Sequence, residues 1–165
     1  MKIDKQTLAR SELTMRDMRT ADLSQVVSIE RNAHISPWSR LSFEESLTKQ
    51  HIGRILEVND EIIAYHVVCP IHDELHILNL VTAPQVRGLG LGHRLMHDVL
   101  EIAQVNTSEK ILLEVRLSNE VAQNLYSQWN FQQISIRRAY YRSSPQTHDE
   151  REDALVFMRP VEKSQ

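Results

Sequence analysis

The sequence predicts a mixed α/β fold in which strands and helices share one sheet, rather than a doubly wound parallel fold. Strand-like segments rich in Ile, Val and Leu come first, and strand-like and helix-like segments then alternate. Asn59 and Asp60 form a tight-turn pair between two strand-like segments, which indicates an antiparallel hairpin. The chain of 165 residues shows no repeat and no linker, which is typical of a single domain.

The first part of the chain is predicted to contain a polar extension, one strand and two helices. Residues 1–12 are the extension, and the domain is expected to cover residues 13–162. The segment "LTMRDM" is a candidate strand. The helix-like segment after it has Thr20 as its expected N-cap, and a second short helix is expected to begin at Pro37.

The rest of the chain alternates between strand and helix patterns. Helical spacing of apolar residues is present over 91–105 and over 119–131, where Asn119 marks the expected start. Residues 143–152, "SSPQTHDERE", are expected to form a polar loop. The expected strands cover residues 53–59, 61–71, 74–83, 110–117, 131–142 and 153–160.

Composition and charge exclude several classes of protein. The formal net charge of −3 disfavours a general nucleic-acid binder, and no apolar run is long enough for a membrane span. The N-terminal segment lacks the apolar centre of a signal peptide, and Cys69 is the only cysteine. A cytoplasmic protein with an inert thiol is therefore expected.

Three of the four glycines lie within five residues, immediately before a helix-like segment. Glycine lets the backbone approach a ligand closely, and the first amides of a helix have no acceptor within the helix. This combination favours binding of a phosphate or pyrophosphate over a simple tight turn. The glycines are Gly88, Gly90 and Gly92.

The glycine segment lacks the P-loop motif and the dinucleotide fingerprint, because the residues and the spacing both differ. "RGLGLG", Arg87 to Gly92, instead resembles the R/Q-x-x-G-x-G/A pyrophosphate loop of the GNAT acetyltransferases. Gln85 also fits the first position, and the spacing from Pro84 favours Arg87. The resemblance implies that the loop binds coenzyme A, with contacts from Arg87, Gly88, Leu89, Gly90, Leu91, Gly92 and His93.

Glu114 and Tyr126 are the candidate acid–base residues. In "KILLEVRL", Glu114 shares a strand face with Leu112 and Arg116, and it could act as a general base or form an ordinary ion pair. Tyr126 follows helical spacing, so it could be a core aromatic residue or a phenol that donates a proton to a leaving thiolate.

Longer segments resemble the bacterial RimI family, the N-terminal alanine acetyltransferases of ribosomal protein. They are "HISPWSRLSFEESL", "LNLVTAP", "LLEVRLSNEVAQNLYSQWNF", "IRRAYYR" and "REDALVFMRP", within residues 13–160. The resemblance implies a GNAT fold with a mostly antiparallel twisted sheet of about seven strands and about four helices, splayed between the fourth and fifth strands.

The same resemblance implies roles for individual residues. Glu114 would be the general base and Tyr126 the general acid. The cofactor, acetyl-CoA, would also contact the backbone of one strand and one side chain, and two tyrosines would line the acceptor site. These residues are Leu80, Val81 and Thr82 for the backbone contacts, Asn119 for the side chain, and Tyr140 and Tyr141 for the acceptor.

Four features depart from the family pattern. Asn130 stands where glycine is usual, and Ala83 stands where an acidic residue is common. The N-terminal extension and the polar loop are longer than usual, which affects expectations for the acceptor more than for the catalytic groups.

The resemblance implies transfer of an acetyl group to the N-terminal α-amine of a ribosomal protein. A free α-amine has a pKa near 7.8 and lysine one near 10.4, so deprotonation at pH 7 costs about 1 and 4–5 kcal/mol respectively. A single carboxylate base therefore suits the α-amine better. The expected partners are this peptide and acetyl-CoA, with no nucleic acid and no membrane, and the expected state is a monomer or weak dimer.

Other functions remain alternatives. The acceptor could be lysine, a polyamine or a small molecule, or the chain could be an acyl-CoA sensor without catalysis. A zinc site is disfavoured, because neither histidine pair, His72 with His76 or His93 with His97, belongs to H-E-x-x-H. No metal is therefore expected. The basic and aromatic segment "RRAYYR" is weak support for nucleic-acid contact.

Overall fold

A computed structural model describes residues 3–144 and 147–163. The α-helices are α1 (Lys5–Arg10), α2 (Leu23–Ala33), α3 (Arg40–Thr48), α4 (Leu91–Val105) and α5 (Glu120–Gln128). The strands are β1 (Thr14–Asp17), β2 (Ile52–Val58), β3 (Glu61–Ile71), β4 (Glu74–Thr82), β5 (Lys110–Arg116), β6 (Gln132–Ser144) and β7 (Thr147–Pro160).

The seven strands form one mixed sheet, with the order β1-β2-β3-β4-β5-β7-β6. Neighbours β1 and β2, β2 and β3, β5 and β7, and β6 and β7 pair antiparallel, whereas β4 and β5 pair parallel. The mixed α/β fold with a mostly antiparallel sheet of seven strands is thus confirmed. The β4–β5 register runs from Glu74 opposite Lys110 to Ile77 opposite Leu113, a short paired stretch that accords with the expected splay.

The hairpin between β2 and β3 turns at Asn59 and Asp60, as the sequence predicts. Both residues have positive φ, 49° and 62°, the backbone conformation that a two-residue turn matched to strand twist requires. Asn and Asp tolerate this conformation better than most residues, so this short sequence signal is sufficient to fix the turn.

The chain divides into two compact units. The first comprises Met1–Val68 and Asn79–Leu95, and a cluster of buried apolar side chains forms its core. Phe43 and Tyr65 pack edge to face in this core, with ring centroids 5.9 Å apart. Aromatic pairs of this geometry contribute about 0.5–1.5 kcal/mol beyond area burial.

Two helix starts in the first unit differ from the prediction. Thr20 begins a 3-10 turn, Thr20–Asp22, and α2 follows at Leu23. Helix α3 begins at Arg40 rather than at Pro37, because the Ser39 side chain accepts a hydrogen bond from the backbone N–H of Ser42. The capping hydroxyl therefore fixes the start of α3.

The N-terminal extension contains a helix that the sequence analysis did not assign. The Asp4 carboxylate caps α1 by accepting from the backbone N–H of Thr7 at 2.7 Å. Ile3 is buried in the core of the first unit, and Leu8 packs against it. With α1 included, the described residues contain five α-helices, one more than the expected four or so.

The second unit comprises Cys69–Leu78 and Met96–Gln165. Strands β6 and β7 are longer than predicted, because β7 begins at Thr147 and Ser144 pairs with it. The polar loop expected at 143–152 is therefore mostly part of the paired strands β6 and β7, and residues 145–146 lie outside the described residues. Polar residues fit these strands because the paired backbone, and not burial, stabilises an exposed hairpin.

Candidate active site

The glycine-rich loop lies in the first unit, between β4 and α4. Gly88 and Gly90 have φ values of 74° and 83°, a conformation that side chains with a Cβ rarely adopt. A Cβ built on either residue would meet no heavy atom within 4 Å, so each glycine borders open space. The loop therefore offers a cradle in which a ligand could approach the backbone, as the pyrophosphate of coenzyme A requires.

The start of α4 could attract an anion to this loop. The backbone N–H groups of His93 and Arg94 donate to the Gly90 carbonyl at 3.1 and 3.4 Å, so Gly90 is the residue immediately before α4, which begins at Leu91. The first amides of an α-helix lack acceptors within the helix, and the helix dipole favours a negative charge at this end. The exposed Arg87 side chain adds a cation to the same loop.

Strand β4 enters the loop with alternating burial. Val81 is buried, whereas Leu80 and Thr82 are partly exposed. The Ala83 N–H donates to the Ile63 carbonyl at 2.8 Å, which ties the end of β4 to β3. The three residues expected to contact the cofactor through their backbone therefore lie in the same unit as the glycine loop.

Glu114 lies on β5 in the second unit and is held by two side chains. The Nε of Arg137 lies 2.9 Å from a Glu114 carboxylate oxygen. The Tyr140 hydroxyl also donates a hydrogen bond to this carboxylate. This hydrogen bond is the main cause, and burial the second, of a raised pKa for Tyr140. The Glu114 side chain is 27% exposed, so it is not sealed in an apolar site. The ion-pair alternative for Glu114 is thus realised in this structure, with Arg137 as its partner.

Tyr126 lies on α5 and is buried, with 7% of its surface exposed. Its ring packs between Phe131 and Phe157, at centroid distances of 5.7 and 6.4 Å. Burial, and secondarily the neighbouring Tyr141, raises the pKa of Tyr126. The phenol is protonated at neutral pH, as that of an ordinary tyrosine is, and the raised pKa makes it a weaker proton donor. Both readings of Tyr126, core aromatic and acid, are compatible with this position.

Tyr141 lies near both Glu114 and Tyr126. Burial, followed by the charge of Glu114, raises the pKa of Tyr141 to about 12. Its ring packs against Tyr140 at 5.0 Å, and the Arg116 guanidinium lies 4.5 Å from the ring centroid. Arg116 donates in turn to Glu152 at 2.8 Å. The two tyrosines predicted to line the acceptor site therefore lie beside the predicted base.

Asn119 uses its side chain within the helix that it begins. The side-chain oxygen accepts from the Ala122 N–H at 3.2 Å, which makes Asn119 the N-cap of α5, as the sequence predicts. Its oxygen is engaged in the cap, so contact with a cofactor would fall to the side-chain NH₂ group.

The turn after α5 accommodates Asn130, where the family usually has glycine. Asn130 has a φ of 61°, in the left-handed region that glycine favours. The N–H of Phe131 donates to the Tyr126 carbonyl and that of Asn130 to the Ser127 carbonyl, the two hydrogen bonds of a Schellman motif. Asn130 therefore forms the C-terminal cap that a glycine would form.

The structure thus groups the predicted site residues in two sets. The first unit contains the residues of β4 and the glycine loop, and the second contains Glu114, Tyr126, Asn119, Tyr140 and Tyr141. The sequence pattern did not predict that Arg137 and Asp153 lie close to these residues. Asp153 accepts from the Ala139 N–H at 2.9 Å and so fixes a β-bulge beside Tyr140. Asp153 lies in the strand expected at 153–160, but its contact with the bulge depends on pairing with β6, which gives no local signal in the sequence.

Cys69 and the histidine pairs were the remaining candidates for a nucleophile or a metal site. Cys69 is partly buried, and burial raises the pKa of its thiol, which disfavours the nucleophilic thiolate. Within residues 3–144 and 147–163, no group of three or more His, Cys, Asp or Glu side chains could hold a metal ion. In the same part of the chain, no helix combines the length and the hydropathy of a membrane span.

Comparison with known proteins identifies the family of this chain. The sequence pattern of the acetyltransferase (GNAT) family matches residues 16–131. The chain is 30% identical over 148 residues to the ribosomal protein bS18-alanine N-acetyltransferase of Escherichia coli K12, covering 90% of this chain and 97% of the relative. It is also 30% identical over 136 residues to the protein of the same name from Haemophilus ducreyi, covering 82% and 92% respectively.

Solved structures show the same fold. The crystal structure of the ribosomal-protein-S18-alanine N-acetyltransferase from Escherichia coli superposes with a TM-score of 0.83 at 29% identity, covering 93% of this chain and 97% of that one. Ard1 from Thermoplasma volcanium shares the fold, with a TM-score of 0.79 at 20% identity, covering 92% and 99%. The chain therefore belongs to the acetyltransferase (GNAT) family and, within it, resembles the N-terminal alanine acetyltransferases of ribosomal protein.

Proposed function

We propose that this enzyme transfers the acetyl group of acetyl-CoA to the N-terminal α-amine of a protein, the alanine of a small-subunit ribosomal protein. The observation that carries the proposal is the Glu114 carboxylate on β5, contacted by Tyr140 and close to Tyr141. The similarity to the bS18-alanine N-acetyltransferases over 90% of the chain supports this choice of acceptor.

The residues of the first unit would bind the cosubstrate. Backbone amides from Gly88 to His93 would hold the pyrophosphate, and Arg87 would add a positive charge. The backbone of Leu80, Val81 and Thr82 would hydrogen-bond the remainder of acetyl-CoA. An N–H near Val81 would polarise the thioester carbonyl, which supplies the acetyl group, and would stabilise the oxyanion that develops.

The residues of the second unit would supply proton transfer. The acceptor amine attacks the thioester carbon directly, the C–N bond forms and the C–S bond breaks. Glu114 takes the proton of the amine, directly or through water, and Tyr126 gives its proton to the departing thiolate. Tyr126 carries this proton at neutral pH, as any tyrosine with a pKa of about 10 or above does. Tyr140 and Tyr141 would line the acceptor site, and Asn119 would contact the cofactor.

The wider assignment follows from the same proposal. Residues 13–162 would form the acetyltransferase domain, preceded by an extension at 1–12. The enzyme would act in the cytoplasm as a monomer or weak dimer, without metal, membrane or direct nucleic-acid contact. Its partners would be acetyl-CoA and the N-terminal segment of the ribosomal protein.

The experiment that tests this function measures CoA release with acetyl-CoA and short peptides beginning Ala-Arg. One peptide has a free α-amine and the other is Nα-acetylated and contains lysine. Turnover on the free amine is expected to exceed turnover on the blocked peptide by at least about 100-fold, because lysine costs about 3 kcal/mol more to deprotonate at pH 7. Equal turnover on both peptides would contradict the α-amine assignment.

Variants of two carboxylates test the base. Glu114→Gln is expected to lower kcat about 100-fold or more with acetyl-CoA affinity unchanged, since general base catalysis contributes about 10²–10⁴-fold. Glu74→Gln is a matched control, because Glu74 is also 27% exposed and is paired with a cation, Lys110, at 2.9 Å. If Glu114→Gln binds acetyl-CoA and retains full turnover, the chain does not use Glu114 as its base.

A further inference from the structure

The Glu114 carboxylate forms an ion pair with Arg137. Arg137 reaches it from β6, across β7, since the strand order in this part of the sheet is β5-β7-β6. Glu114 pairs with Val156 of β7 on one side, and Arg137 pairs with Ala154 of β7 on the other side. Ala154 and Val156 are two residues apart, so Glu114 and Arg137 lie on the same face of the sheet. The contact between Arg137 Nε and Glu114 Oε1 measures 2.9 Å.

The two partners differ in exposure. The Arg137 side chain is 56% exposed, whereas Glu114 is 27% exposed. An exposed arginine side chain is held weakly, because an ion pair of this kind contributes only about 0.2–1 kcal/mol. A carboxylate with restricted access to water, in contrast, is destabilised when it loses its partner. The ion pair therefore stabilises the Glu114 carboxylate, whereas the exposed Arg137 side chain can leave it with little loss of free energy.

Tyr140 provides the Arg137 side chain with a second contact. The Arg137 guanidinium carbon lies 5.4 Å from the centroid of the Tyr140 ring, within the range of a cation–π interaction. The bulge that carries Tyr140 is fixed by Asp153, through the Ala139 N–H and through Arg138 at 2.7 Å. A guanidinium released from Glu114 would thus retain a favourable position over the ring.

We infer that Arg137 occupies the position of the acceptor's ammonium group on Glu114, and that a free N-terminus must displace it in order to bind. The inference rests on the proposed function, in which Glu114 receives the amine. One cation replaces another, so Glu114 stays paired whether or not the acceptor is bound. A blocked N-terminus carries no positive charge and cannot displace Arg137. Arg137 is in this sense a specificity-determining residue.

Kinetics of three variants test the displacement. Arg137→Ala is expected to lower KM for the unblocked peptide about two- to fivefold, the equivalent of one exposed ion pair. Arg137→Lys restores a cation, and its KM is expected to return toward that of the wild type. The matched control is Arg40→Ala, which removes the same charge from an exposed ion pair with Glu44 on α3 and leaves KM unchanged.

A spectroscopic measurement follows the displacement directly. The Nε–H signal of Arg137 in a ¹H–¹⁵N spectrum is assigned by its loss in Arg137→Lys. Saturation with the unblocked Ala-Arg peptide in the presence of CoA is expected to shift this signal to its position in Glu114→Gln, whereas an Nα-acetylated Ala-Arg peptide without lysine leaves it in place.

The outcomes separate the two proposals. Wild-type turnover on the free amine, with an Arg137 signal that does not move at saturation or a KM that rises in Arg137→Ala, overturns the displacement and leaves the proposed function intact. If the wild type acetylates no α-amine, the proposed function fails and the displacement fails with it.

Discussion

The hydroxyl of Tyr65 donates a hydrogen bond to the carboxylate of Glu30, and both side chains are buried in the first unit. Glu30 is 1% exposed and also accepts from the side-chain amide of Asn79 at 3.1 Å and from the backbone N–H of Trp38 at 2.9 Å. One carboxylate thus joins α2, β3, β4 and the segment before α3. Burial, followed by the charge of Glu30, raises the pKa of Tyr65.

Tyr65→Phe is expected to lower the free energy of unfolding by about 1–3 kcal/mol, because Glu30 would lose one donor in a buried site. The measurement is urea-induced unfolding at pH 7. Thr48→Val is the control, since it also deletes a hydroxyl that hydrogen-bonds, but at an exposed position. A Tyr65→Phe variant as stable as the control would show that the remaining donors are sufficient for Glu30.

Asp22→Asn is expected to lower stability at pH 7 by about 2 kcal/mol, because Arg16 donates two hydrogen bonds to this carboxylate, at 2.8 and 2.9 Å. The hydrogen bonds from Arg16 outweigh burial and lower the pKa of Asp22. A lowered pKa means that the stabilisation is present above the ordinary value of about 3.9 and is lost as the pH falls through the folded-state pKa.

The difference between wild type and Asp22→Asn should therefore shrink in unfolding experiments below pH 4. Asp17→Asn is the control, because Asp17 also pairs with an arginine, Arg54, but its side chain is 79% exposed. The control is expected to cost less than about 1 kcal/mol. A difference for Asp22→Asn that is the same at pH 3 and pH 7 would contradict the role of its charge.

Asn130→Gly is expected to stabilise the protein by about 0.5 kcal/mol, because glycine adopts the left-handed conformation of the Schellman motif without the Cβ penalty. Asn130→Ala is expected to destabilise it by about 1 kcal/mol for the converse reason. Thermal unfolding of both variants gives the comparison. Val121→Gly, on the exposed face of α5, should instead lower the melting temperature, and a parallel decrease for Asn130→Gly would refute the argument.

Gly90→Ala is expected to weaken acetyl-CoA binding about 5- to 30-fold, since a left-handed residue with a Cβ costs about 1–2 kcal/mol. The free protein has space for the methyl group, so the penalty comes from the φ of 83° rather than from a clash. Calorimetric titration with acetyl-CoA measures the change. Val105→Ala, at the 83% exposed far end of α4, should bind normally, and equal affinities for both variants would exclude the loop as the pyrophosphate site.

Elements that depend on neighbouring residues could be predicted from the sequence. The turn at Asn59 and Asp60, the glycines before α4 and the cap at Asn119 each need only a few adjacent residues, because local backbone geometry decides them. Alternation along β5 likewise predicts that Glu114 shares a face with Arg116, since side chains on a strand point alternately to its two faces.

The tertiary structure alone decided which side chains meet. Glu30 joins residues 35 and 49 positions away, and Arg137 reaches Glu114 across an intervening strand. The long β6–β7 hairpin also differs from the predicted loop, because pairing with a distant strand and not local propensity stabilises it. Strand order and register are long-range properties, so the sequence by itself determined the candidate residues, and the folded sheet determined their partners.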